Sequence, residues 1–346
     1  MTNAECRMPN CGMDTERGPV LCVVRAPPYA TPKYPKQHLS DTTMLDKPPE
    51  NSHDATERAS IERVSAMIKS ILVCTDGSDH SNAAADYGIH LAQRLEARLL
   101  GLHVLDSRML DGPLLADISG WIGAQPYGAQ VQQFQELLKQ RGEAIIAAFN
   151  DRCKTAGMPV DSIIRSGHPP TVILEEEGRA ELLILGQRGE HAGLLGEMTG
   201  SNVERVVRHS SNPCLVTPGE FKPISRILAA YDGSGHASQA LQEATELAQS
   251  LGIELTILTV EEEGDKDRAE QIAKDAKELV EAHDCKAETL VTQGKSAAVI
   301  LEIAHQKKCD LIVVGAYGHS RIREMVLGST THQIINRARV PVMLVR

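Results

Sequence analysis

Aromatic residues are scarce in this chain: one Trp, six Tyr and three Phe make up 3% of 346 residues. Few side chains are therefore available on which bases could stack, so a platform for single-stranded nucleic acid is not on offer. Positive charge is also short, with a formal net charge of −10 and a pI of about 5.7. Without a basic stripe, neither nucleic acid nor an anionic membrane surface is expected as the main partner. No apolar run approaches the ~20 residues that a membrane span requires. The chain reads as soluble.

Several kinds of chemistry are missing as well. The eight cysteines are scattered, with no C-x-x-C pair and no spacing that builds a zinc site. Cys74 lies in the apolar run Ile71–Thr75, where it reads as a small buried hydrophobe. A reducing cytoplasm fits this usage. No G-x4-G-K-[S/T] loop, H-E-x-x-H helix or G-x-S-x-G elbow occurs. Of thirteen histidines, His168 and His319 fall near the site described below and read as solvated loop residues. No catalytic residue is assigned.

Residues 1–66 also lack any sustained hydrophobic period and carry Pro27-Pro28, Pro32, Pro35 and Pro48-Pro49. Such a segment cannot bury enough apolar surface to offset its conformational entropy, so a disordered extension is expected. Its start has no basic region followed by an apolar core, which argues against a secretory signal. Met67-Ile-Lys-Ser-Ile-Leu-Val73 leads directly into a strand, so a translational start at Met67 stays open.

What is present is a repeat. Ile71-Leu-Val-Cys-Thr-Asp-Gly-Ser78 matches Ile227-Leu-Ala-Ala-Tyr-Asp-Gly-Ser234, each a strand closing on Asp-Gly-Ser. Helical spacing follows over Ser81–Leu95 and Ala237–Leu251, then second strands at Leu99–Val104 and Leu255–Val260. From Asp76 to Val104, and from Asp232 to Val260, the separation is 28 residues in both copies. Gly167 leads to the apolar run Leu182–Gly186 as Gly294 leads to Leu311–Gly315, and the last strands are Cys214–Thr217 and Val342–Val345. Strands alternating with helices predict an α/β fold with parallel pairing and helices on both faces. The copies differ mainly between Val104 and Gly167, where the first holds an insertion with Trp121 and a helical pattern from Val131 to about Lys154. That insertion reads as packing surface, with a lid as the alternative. The expected units are residues 67–219 and 223–346.

The second copy carries its glycines at one place. Gly315-x2-Gly318-x9-Gly328-Ser329 runs from the end of a buried strand to the start of a helix expected over Thr330–Arg339. Backbone can approach a ligand closely there, and free N–H groups at a helix start attract phosphate.

Together with Asp232-Gly-Ser234, Val260 and Gly294, this string resembles the universal stress protein family in its nucleotide-binding class. The resemblance covers 68–346 as two tandem domains. It implies two Rossmann-like open parallel sheets of five strands each, order 3-2-1-4-5, flanked by helices, with ATP at the carboxyl ends of the strands. It implies pairing of the domains across their last strands, here within one chain, and leaves a homodimer open.

Carried over residue by residue, the resemblance implies that Asp232 accepts from the adenine amino group and that the Val260 main chain reads another base edge. Gly315 and Gly318 approach ribose and phosphates; Gly328, Ser329 and Thr330 hold the phosphate chain, with or without Mg²⁺. The plain alternative is turn geometry and helix capping. The first copy has Asp76, Val104, Gly186, Gly189, Gly200 and Ser201, but ten residues, Glu190–Thr199, stand where the family has nine. The function expected is a cytoplasmic stress-response protein that binds an adenine nucleotide, with the stronger case in the second copy, acting as a sensor or interaction module toward an unknown protein partner. Vestigial sites in an interaction protein, or a slow ATPase, are the alternatives. A dinucleotide fingerprint over Asp232–Ser238, with Glu261 as ribose partner, is a weaker reading, because Ser238 replaces its third glycine.

Overall fold

The computed structural model describes residues 68–107, 127–189, 201–262, 264–316 and 327–346. The expectations for residues 1–66, Trp121, Gly200, Gly318 and His319 lie outside the described residues. In the first half the strands are β1 (Ser70–Cys74), β2 (Arg98–Asp106), β3 (Val160–Gly167), β4 (Leu182–Gly186) and β5 (Cys214–Thr217). The helices between them are α1 (Asp79–Leu95), α2 (Tyr127–Thr155), α3 (Pro169–Glu176) and α4 (Ser201–His209). The second half repeats this with β6 (Arg226–Ala230), β7 (Glu254–Glu261), β8 (Ala287–Gln293), β9 (Leu311–Gly315) and β10 (Val342–Val345). Its helices are α5 (Gly235–Leu251), α6 (Lys266–Glu281), α7 (Ser296–Gln306) and α8 (Ser329–Arg337).

The central strands are apolar at nearly every position because both faces are covered, as parallel sheets require. Residues Ile71, Leu72, Val73 and their counterparts Ile227, Leu228 and Ala229 are fully buried. Each large aliphatic side chain so buried contributes about 1.5–3 kcal/mol. One core packs under α1, α2, α5 and α6, with Ala84, Leu91, Phe149, Leu241 and Ala276; the other packs under α3, α4, α7 and α8, with Ile173, Val206, Ile300 and Ile334.

Ten strands form one sheet in the order β3-β2-β1-β4-β5-β10-β9-β6-β7-β8. Each half therefore reads 3-2-1-4-5, all parallel. The two last strands meet antiparallel, with Val342 opposite Val216 and Leu344 opposite Cys214. Further contacts hold the connecting segment and the second half on the first. The Tyr87 hydroxyl accepts from Lys222 N at 3.1 Å and donates to the Glu220 carbonyl at 3.3 Å, while Phe221 packs edge-on against its ring. The Gln187 side chain donates to the Ile335 carbonyl.

The halves differ most in α2, whose 29 residues exceed the 16 of α6. Its C-terminal part lies on β2, where Phe149 fills the space that a side chain at Gly101 would need. Nearer its start the helix is exposed, Leu137 to 59%.

Candidate functional site

Each Asp-Gly-Ser segment makes the same turn. Asp232 Oδ1 accepts from Ser234 N at 2.9 Å, Gly233 takes φ +78°, and the Ser234 hydroxyl caps α5 by accepting from Ala237 N at 3.2 Å. In the first half Asp76 Oδ1 accepts from Ser78 N at 3.0 Å, Gly77 takes φ +81°, and Ser78 caps α1 through Ser81 N at 3.2 Å. The glycine is needed because only it enters the left-handed region without steric cost. Turn geometry thus accounts for one carboxylate oxygen of Asp232.

That turn forms one wall of a cavity of about 430 Å³ at the carboxyl ends of β6, β7 and β9. Asp232, Val260, Gly315, Gly328, Ser329 and Thr330 all line it, so the structure brings together six of the seven positions expected in the second copy. Its volume and its place outside the strand ends are those of a small-molecule site in an open α/β sheet.

The β7 backbone opens into this cavity for a simple reason. Tyr231 N donates to the Leu258 carbonyl at 2.9 Å, so the main chain of Leu258 faces β6. Residues two apart on a strand point their N–H and C=O the same way. Val260 therefore also faces β6, whose pairing with β7 ends at Ala230 opposite Leu258. No β6 residue stands opposite Val260.

The side chains flanking Val260 project from one face of β7. Thr259 is 2% exposed, and its Oγ1, like Glu261 Oε1, is buried without a hydrogen-bond partner. Both residues line the cavity. Buried polar atoms left unpaired cost about 1–3 kcal/mol each, and these two oxygens lie beneath the cavity surface, not on it.

The opposite wall is the start of α8. Its N-cap is Gly328, with φ −55° and ψ 141°, and no side chain caps it. The first helical bond runs from His332 N to the Gly328 carbonyl, so the N–H groups of Ser329, Thr330 and Thr331 have no partner within the helix. Thr331 instead uses its hydroxyl to donate to the Gly315 carbonyl at 3.1 Å, fixing the helix start on the end of β9.

Gly315 has a packing reason of its own. A Cβ there would lie 3.0 Å from His236 C and 3.1 Å from Ala237 N, so its lack of a side chain lets the first turn of α5 seat on β9. At Gly235, by contrast, a Cβ would meet nothing within 4 Å. The glycines of Asp232–Ser238 thus lack the close helix packing of a dinucleotide fingerprint.

Sequence reasoning missed the wall supplied by α6. Asp265 caps that helix by accepting from Arg268 N at 3.0 Å, and Asp265 and Arg268 both line the cavity. Glu262 accepts from Ser296 N at 2.8 Å, and the Ser296 bonds hold its carboxyl below the usual range. One signal was available: an offset of 127 residues relates Gly167 to Gly294 and also Arg141 to Arg268. The same offset relates Ile145, which packs on Gly77, to Ile272, which packs on Gly233.

The first half is built differently at the matching stations. Val104 is open like Val260, since Thr75 N donates to the Leu102 carbonyl at 2.9 Å. Gly186 seats α1, with a Cβ position 2.8 Å from His80 C, and Gly189 sits against Asp76, its Cβ position 3.0 Å from Oδ2. Ser201 is the first residue of α4. In place of Thr259 stands His103, buried, with Nδ1 donating to the Thr75 carbonyl at 2.8 Å; in place of Glu261 stands Leu105. Burial, and next the charge of Arg188, hold the His80 imidazole below its ordinary pKa. His168 precedes the first turn of α3 and is half-buried.

Among the described residues, no helix is long and apolar enough to cross a membrane. The model of the universal stress protein family matches residues 67–218 and 223–346. Among curated proteins, the universal stress protein Slr1230 of Synechocystis is 31% identical over 287 residues, spanning 81% of this chain and 100% of its own. The universal stress protein Rv2005c of Mycobacterium tuberculosis is 26% identical over 306 residues, spanning 80% of this chain and 96% of its own. Among solved structures, a universal stress protein from Archaeoglobus fulgidus superposes with a TM-score of 0.63 at 22% identity, over 80% of this chain and 96% of its own. With both halves matched and these relatives spanned almost end to end, the chain belongs to the universal stress protein family.

Proposed function

We propose that the protein binds an adenine nucleotide, ATP foremost, in the cavity of its second half, and works in the cytoplasm as a nucleotide-dependent sensor or interaction module in stress response. The observation that carries this reading is a single cavity faced by the open main chain of Val260 and by the uncapped start of α8. The first offers an N–H and a C=O to a base edge; the second offers amides and a positive helix end to phosphates. Asp232 would accept from the base amino group, and Gly315 with Gly318 would run beside the ribose. Gly328, Ser329 and Thr330 would take the phosphates, with Arg268 adding a cation from the rim. Any Mg²⁺ would come in on the phosphates, near the Ser329 and Thr330 hydroxyls.

The units 67–219 and 223–346 would then be one nucleotide-binding domain and a divergent twin. The twin keeps Asp76, Val104, Gly186, Gly189, Gly200 and Ser201, but His103 and Leu105 replace the two unpaired oxygens of β7. Chromatography of whatever the purified, denatured protein releases tests the reading directly. Released adenine nucleotide supports it, and protein that releases none and takes up none when ATP is added refutes it.

A further inference from the structure

We infer that the first half contributes to the phosphate end of the second half's site: Arg208 on α4 supplies a positive charge, across the β5–β10 junction, to phosphates at the start of α8. This rests on the nucleotide reading above and adds to it a residue from the other half of the chain. The placement follows from how the last strands pair. β5 and β10 run antiparallel, and each is preceded by a crossover helix that runs against it, so α4 and α8 pass in opposite senses on one face of the sheet. Glu204 and His332, the fourth residues of the two helices, meet at 2.9 Å. One turn further along α4, ~6 Å, stands Arg208; one turn back along α8 stands Gly328, its N-cap. Residues four apart share a helix face, so Arg208 lies on the same side of α4 as Glu204.

Two further contacts fix the same alignment. Arg346, just past β10, donates to the His209 carbonyl at 3.5 Å, and Ala316 N donates to the Val345 carbonyl at 2.7 Å. The last turn of α4 thus adjoins the strand ends of the second half, where the Ala316 carbonyl accepts from Gly328 N at 3.4 Å. In the other direction the Gln187 side chain, just past Gly186, donates to the Ile335 carbonyl of α8. Ile335 is the counterpart of Val207, and Gln187 of Ala316. The repeat therefore sets Val207, the residue before Arg208, on the side of Ala316.

The exchange is unequal. The counterpart of Arg208 is Asn336, one turn past His332, whose amide donates to the His332 carbonyl at 2.8 Å. The second-half turn receives a cation from its neighbour, and the first-half turn receives a neutral amide. Arg208 stands beside Gly328 and outside the cavity lining, so its influence on a phosphate is that of a nearby charge. It is half-buried, where a charge is screened less than in open water, and a guanidinium stays protonated at any ordinary pH.

The experiment measures calorimetric affinities of the stripped full chain for ATP and adenosine, adenosine by displacement of ATP, in wild type, Arg208→Gln and Arg208→Lys at low and high salt. Arg208→Gln should bind ATP about three- to tenfold more weakly, the scale of one partly screened charge, and adenosine within about twofold of wild type. The loss should shrink at high salt, and Arg208→Lys should restore most of the affinity. Arg208→Met keeps the apolar stem without the charge and serves if the glutamine variant does not fold. Unchanged ATP affinity in the uncharged variant overturns the inference while leaving nucleotide binding intact. So does an equal loss for ATP and adenosine, which would give Arg208 a packing role only, or a lysine variant as weak as the glutamine one. Failure of wild type to bind ATP overturns both readings.

Discussion

His332 and Glu204 meet across the middle of the sheet, with Nε2 and Oε1 2.9 Å apart. They occupy the fourth positions of α8 and α4, equivalent stations in the two copies. A symmetric pairing of identical units would set like against like here, whereas the tandem chain sets an imidazole against a carboxylate. Both side chains are partly exposed, at 41% and 24%, so the contact is a modest one. A double-mutant cycle of His332→Ala and Glu204→Ala, read by urea unfolding, should give a coupling of about 0.5–1 kcal/mol. Additive effects would mean that the pair does not join the halves.

Gly328 separates stability from binding. Its φ of −55° and ψ of 141° suit any residue, and an aspartate there can accept from the uncapped N–H groups of α8. Gly328→Asp should therefore leave the melting temperature unchanged or raise it slightly, since Asp and Gly differ at an N-cap by a few tenths of a kcal/mol. The same carboxylate would stand where phosphates are proposed, and ATP affinity should fall by about a hundredfold or more, the scale of one unpaired charge. Gly200→Asp should remove little of the binding. Equal losses in the two variants would show that the two turns bind alike.

Gly186 and Gly315 should both resist a methyl group, and unequally. At Gly186 the added carbon would meet backbone atoms of His80 and Ser81 at 2.8 and 2.9 Å; at Gly315 the distances to His236 and Ala237 are 3.0 and 3.1 Å. Helix backbone cannot step aside as a side-chain tip can. Overpacking of this kind costs about 1–3 kcal/mol, so Gly186→Ala should lie toward the upper end and Gly315→Ala toward the lower. Thermal melts of the two variants check the order.

Much of this arrangement was legible in the sequence. Sheet strands buried on both faces have to be apolar throughout, so Leu311–Gly315 and Leu182–Gly186 declared themselves, and the repeated Asp-Gly-Ser marked where strands hand over to helices. The α6 wall was not legible. An exposed arginine in a polar helix looks like any solvated residue, and Arg268 acquires meaning only when α6 is laid against the strand ends. Gly315 was read as room for ligand, yet the packing of His236 favours glycine there even without one. Thr259 escaped for a related reason, since an unpaired atom is a property of three-dimensional surroundings, and Glu261 was read only as the ribose partner of a weak dinucleotide fingerprint.

Glu243 on α5 predicts a pH dependence. Burial, and next the charge of Glu246, push its carboxyl up to about 7. The folded protein then binds a proton there that the unfolded chain releases near pH 4.5. Stability from this group is therefore greatest below pH 4.5 and is lost as pH rises through about 7. Glu243→Gln should remove that loss and raise stability at pH 8 by ~1 kcal/mol, after allowance for solvent screening at a half-buried site. Urea midpoints for both proteins at pH 5 and pH 8 test it, and a parallel drop in the two would contradict it.

The central claim is that the cavity between Asp232, Val260 and the start of α8 takes an adenine nucleotide. Calorimetric titration of ATP into nucleotide-stripped protein measures this most directly. Saturable binding by wild type, absent from a Gly328→Asp variant that melts at the same temperature, is the result expected. No saturable heat with wild type, or equal binding by the two proteins, would contradict it.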